Sequence, residues 1–90
     1  MNNFFNLYSS FHDFFETLLR GNEIEFIHRG KRFYILPEYK NNEVTCVLLG
    51  ESNKKSKMKY TSKEELYNAT INACLLGDVL NEIEIVWYNF

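Results

Sequence analysis

The side chains in this 90-residue chain best suited to nucleophilic or metal chemistry are His12, His28, Cys46 and Cys74, and their spacing supports neither. A zinc site draws on clustered His, Cys or carboxylate ligands at short, recurring separations, and these four follow no such pattern. A cysteine nucleophile needs a neighbouring base and an open cleft, whereas Cys46 and Cys74 both sit in apolar runs. They read as reduced packing residues. His28, next to a turn, reads as an ordinary strand residue. There is no GxGxxG, no P-loop and no GxSxG. The expectation is a non-enzyme with no catalytic residues, no cofactor and no metal.

Charge offers two other candidates. Arg29, Lys31 and Arg32 gather at one point of the chain, and Lys54, Lys55, Lys57 and Lys59 gather at another, so that seven of the ten basic residues lie in two clusters. Brought together beside Tyr34 or Tyr60, they could hold a phosphate backbone with a base stacked on the ring. The plainer reading is a solvated turn and a solubilising loop, and the net charge of −2 favours it. The second candidate is acidic and aromatic: Glu23, Glu25, Tyr34, Glu84 and Tyr88. Tyrosines supply contact area at low entropic cost and carboxylates select a basic partner, so this set suits a protein interface. A half-exposed antiparallel sheet would show the same alternation with no partner at all.

Composition sets the frame for both. Ninety residues hold one domain, 1–90, which buries about 60 to 65% of its unfolded surface. Eight Phe, six Tyr and one Trp are more rings than so small a core readily encloses, so some belong on the surface. No run approaches the length of a membrane span, and the start lacks the basic and apolar regions of an export signal. The expected location is cytoplasmic.

The elements that must position these residues follow from periodicity. Phe4, Tyr8, Phe11, Phe15 and Leu18 recur at helical spacing, which predicts a helix from about Phe4 or Ser10 to Arg20, with Gly21-Asn22 as its stop. Glu23 to Leu36 alternates about Arg29-Gly30, predicting a hairpin that pairs His28 with Lys31, Phe26 with Phe33 and Ile24 with Ile35. One residue of slip would drown the Phe and Ile set, so the register is well determined. Pro37 suggests an edge or an exit from pairing. After a turn at Asn41-Asn42, Val44 to Leu49 is a strand apolar on both faces, expected near the sheet centre. Gly50 to Lys59 reads as a loop. Ser62 with Glu65 forms a capping box for a helix through Leu66, Tyr67 and Ala69. Residues 72–81 either continue that helix to Leu76 or turn and start a short new one near Leu75. Ile83, Ile85 and Trp87 then alternate with Glu84, Val86 and Tyr88 in a final strand. The fold class is α+β: an antiparallel sheet of about four strands with helices on one face, in the order α-β-β-β-α-β.

The segments Leu19-Arg-Gly-Asn-Glu-Ile-Glu-Phe26, Gly30-Lys-Arg-Phe-Tyr-Ile35 and Asp78-Val-Leu-Asn-Glu-Ile-Glu-Ile85 resemble a group of short proteins encoded in prophages and mobile elements of low-GC Gram-positive bacteria. Several small proteins of such elements bind and block host machinery, CRISPR effectors among them. The resemblance implies that class of behaviour and assigns no residue roles. The expected function is therefore a protein-binding inhibitor of a host or defence protein, in the manner of an anti-CRISPR. A nucleic-acid-binding accessory protein is the alternative, and a homodimer joined by a sheet face or edge strand is a third reading.

Overall fold

The computed structural model of the chain describes residues 11–88. Helix α1, Phe11–Leu19, ends where expected: Gly21 turns left-handed at φ +92°, and the Thr17 carbonyl, which accepts from Arg20 N at 3.2 Å, also accepts from Asn22 Nδ2 at 2.9 Å. The proposed start at Phe4 and the Ser10 cap lie outside the described residues.

Strands β1, Ile24–His28, and β2, Lys31–Lys40, form the hairpin in the expected register, with Ile24 opposite Ile35, Phe26 opposite Phe33 and His28 opposite Lys31. Arg29 and Gly30 both have positive φ, the mark of the tight turn whose twist matches that of the strands. Phe26 and Phe33 stack across the ladder with ring centroids 5.3 Å apart, a contact worth about 0.5–1.5 kcal/mol beyond its buried area.

Asn41 and Asn42, again both at positive φ, turn the chain into β3, Glu43–Glu51. Strand β2 is not an edge, since it lies between β1 and β3 and pairs Pro37 with Val47. The proline fits for a local reason. The parity that aims the backbone of Lys31, Phe33 and Ile35 at β1 aims that of Pro37 the same way, past the first residue of β1, where no ladder bond is lost.

The segment expected as a loop after Gly50 contains a fifth main-sheet strand. β4, Lys57–Tyr60, pairs with β3 in the register Leu49 opposite Met58 and Val47 opposite Tyr60. Its alternation sends Lys57 and Lys59 to one face and Met58 and Tyr60 to the other, so it is a short lysine-bearing edge strand. Next comes helix α2, Lys63–Tyr67, with Ser62 Oγ accepting from Glu65 N at 3.1 Å. The return half of the box is shifted by one residue, because Glu65 Oε1 accepts from Thr61 N and Thr61 Oγ1.

The helix does not continue into residues 72–81. A miniature hairpin, β5, Thr70–Ile71, and β6, Cys74–Leu75, turns on Asn72 and Ala73 and leads into a 3-10 segment, Leu76–Glu82. Strand β7, Glu84–Tyr88, then pairs antiparallel with β1. The main sheet runs β4-β3-β2-β1-β7, five strands in an α+β fold.

One face of this sheet is covered. Phe14 and Leu18 of α1, Leu66 of α2, and Leu76, Val79 and Leu80 of the 3-10 segment enclose Ile24, Phe26, Phe33, Ile35, Val47 and Ile85. Burial of each of the larger side chains contributes about 1.5–3 kcal/mol. No helix among the described residues is long and apolar enough to cross a membrane.

Candidate protein-binding face

The opposite face of the sheet carries no helix among the described residues. Alternation places Glu25 and Ile27 of β1, Arg32, Tyr34 and Leu36 of β2, and Leu48 and Gly50 of β3 on it. The central row crosses four ladders: Trp87, Glu25, Tyr34, Gly50, Lys57. Gly50 has a geometric role in it. A Cβ at this position would lie 2.6 Å from Tyr34 Oη and 2.8 Å from Cζ, so the missing side chain lets the phenol ring lie across β3.

The last strand departs from simple alternation. Phe26 faces Ile85, but Glu25 faces Trp87, which leaves Val86 as an extra residue in β7. This β-bulge reverses parity. Trp87, expected to join Ile83 and Ile85 against the core, lies beside Glu25 on the open face with 47% of its surface exposed. Tyr88, expected on that face, is instead opposite Ile24. Trp87 therefore takes the place in the candidate set that the sequence reading gave to Tyr88.

The carboxylates differ in their ties. Glu25 Oε2 receives Arg32 Nη1 at 3.3 Å, so one expected acidic contact is joined to one expected basic contact. Glu84, opposite Ile27, is exposed, and its side chain has no ion pair or hydrogen bond among the described residues. Glu23 is half-buried just ahead of β1.

The two basic clusters meet at one end of the sheet. Ser52 N donates to Arg32 O at 2.9 Å, and Gly50 pairs with Lys57, which brings the turn holding Lys54 and Lys55 alongside the hairpin tip. Four of the seven cations already face carboxylates: Arg29 with Glu82 at 3.9 Å, Arg32 with Glu25, Lys54 with Glu51 at 3.8 Å, and Lys59 with Glu38 at 3.3 Å. Such exposed pairs add about 0–1 kcal/mol each to stability, yet they cancel much of the local field. Lys31, Lys55 and Lys57 have no carboxylate partner among the described residues.

The cysteines are both free thiols. Cys46 is buried, and its Sγ donates to Glu38 Oε1 at 3.1 Å. Burial first, then the Glu38 carboxylate, push its pKa up, so the thiol stays protonated and is a poor nucleophile. Glu38 is held below the usual carboxylate range by that thiol and by Lys59. Cys74 is half-buried in β6 rather than helical. No group of three or more His, Cys, Asp or Glu among the described residues could hold a metal ion.

The residue that sequence reasoning undervalued is His28. It is 1% exposed on the core face, where its Nε2 lies 3.3 Å from Glu82 Oε1. Asn72 Nδ2 approaches His28 Nδ1 at 3.0 Å and donates to its backbone carbonyl at 2.8 Å. An amide NH2 facing Nδ1 makes that nitrogen the acceptor and leaves Nε2–H to donate to Glu82. The imidazole thus ties the hairpin tip to the Asn72 turn and to the residue two before β7. The parity of β1 already put His28 on the Phe26 side, but nothing local named its partners. No protein-family model, no curated protein and no solved structure matches this chain.

Proposed function

We propose that the chain is a non-enzymatic protein-binding module whose working surface is the open sheet face, and that it acts in the bacterial cytoplasm as a phage or mobile-element inhibitor of a host or defence protein. The observation that carries this reading is the row of half-exposed Trp87, Glu25 and Tyr34. An indole and a phenol on a rigid sheet are the side chains that most often anchor interfaces, and the flanking charges give a polar rim. The class of partner comes from the resemblance to prophage and mobile-element proteins.

The test is capture from nuclease-treated lysate of a low-GC Gram-positive host, with the wild-type chain beside Glu25→Lys/Glu84→Lys and Trp87→Ala baits of matched folded content. A host protein held by the wild type and released by both variants supports the reading. Equal recovery by all three baits would refute the face.

A second reading has its own support: the convergence of Arg32, Lys54, Lys55 and Lys57 at one end of the sheet beside Tyr34. It calls for binding of single-stranded DNA or RNA that falls steeply with salt and is lost when Lys31, Lys55 and Lys57 become Gln. The internal ion pairs of four of the seven cations place it behind the protein-binding reading.

A further inference from the structure

Resting on the protein-binding reading, we infer that Trp87 and Glu84 form a subsite for an arginine or lysine side chain of the partner. Three observations converge on it. The bulge at Val86 is the feature that delivers the indole to the open face, and bulges that re-aim a side chain recur where sheets do chemistry or bind. Glu84 and Trp87 share that face of β7, with Val86 also exposed between them, and Glu25 stands across the ladder from Trp87. Among the acidic residues of the row and its neighbour, Glu25 is already tied to Arg32, while Glu84 is exposed with no cation partner among the described residues.

A cation laid over the indole face gains from the ring's negative π-surface, and a carboxylate beside the ring supplies the counter-charge. Lys57 lies on the β4 edge, across the whole sheet from β7, and the nearer arginines, Arg29 and Arg32, already face Glu82 and Glu25, so an incoming basic side chain at β7 finds the Glu84 carboxylate unneutralised. An acidic partner would meet Glu84 unneutralised. The complementarity therefore selects a basic segment, presented beside the β7 edge.

Trp87 is the chain's single tryptophan, so its fluorescence reports this site alone. The probe is a short unstructured peptide carrying arginines, and its control is the same peptide with citrulline, which keeps the shape and removes the charge. Expected is a saturable change in Trp87 emission with the arginine peptide, weakened by salt, absent with citrulline, and shifted to about three- to fivefold higher Kd by Glu84→Gln. Glu84 is exposed, so this variant keeps the fold, and circular dichroism verifies it. No saturable response, or an equal response to citrulline, overturns the subsite. If the partner caught from lysate is lost with Tyr34→Ala and Trp87→Ala but kept with Glu84→Gln, the protein-binding face stands and the cation subsite falls. If none of the three changes capture, the face itself falls.

Discussion

Tyr34 lies over Gly50, so close that a single added methyl would stand 2.6 Å from the phenol oxygen. A strand interior normally gains from a side chain, and here the usual preference is reversed. Gly50→Ala is expected to destabilise the chain by about 1–3 kcal/mol in urea unfolding, through displacement of the ring. Adding Tyr34→Ala to it should recover part of that loss, since the clash goes with the ring. An additive double variant would show that the two positions are independent.

His28 makes the second prediction. Its ring is buried in the core and bonded on both nitrogens. His28→Leu retains bulk but removes the ring acceptor of the Asn72 amide, which keeps its bond to the residue-28 carbonyl, and removes the link to Glu82, at an expected cost of about 1–3 kcal/mol. Asn72→Gly isolates the other end: the left-handed backbone at φ +49° is kept while both hydrogen bonds go. It should lower the midpoint of thermal unfolding, and the two variants together should cost less than their sum because they remove the same network.

Ala73 predicts a gain. It stands at φ +65° in the turn between β5 and β6, where an L side chain is strained and glycine is not. Ala73 is also exposed, so its methyl gives up no packing. Ala73→Gly should raise stability by about 0.5–1.5 kcal/mol, against the usual penalty for introducing glycine. A drop in denaturation midpoint would contradict the turn geometry.

The raised pKa of Cys46 sets a pH dependence. The folded state holds the proton more tightly than the unfolded chain, whose thiol titrates near 9.0. Between the unfolded and folded values the native state binds more protons, so stability falls as pH rises above about 9. Cys46→Ser or Cys46→Ala should flatten that alkaline slope. At neutral pH the thiol should react with a maleimide more slowly than Cys74, as read by mass spectrometry of the singly modified chain.

Local pattern carried a large part of the architecture. Alternation about Arg29-Gly30 determined the hairpin register, because one face had to be apolar; Ser62-Glu65 marked a helix start, because a cap is a contact over three residues. Strand β4 escaped because Lys57 and Lys59 make its four residues read as solvent-exposed, and it exists through the free edge of β3, which its own sequence does not encode. The site was partly legible. Glu25 and Tyr34 followed from hairpin parity, and Glu84 from that of the last strand. Trp87 did not, because a bulge is set by the pairing of two strands and shows in neither alone. His28 was misjudged for a similar reason: its partners lie 44 and 54 residues away.

The bulge at Val86 makes the chain's outward character depend on strand pairing rather than on residue identity. Val86 is the surplus residue, so a chain without it would keep the indole opposite Glu25, whereas a β7 that paired Val86 itself with Glu25 would turn the indole toward the helices. A one-residue change of pairing beyond Ile85 would thus exchange the recognition surface while nearly every residue of the core stayed the same.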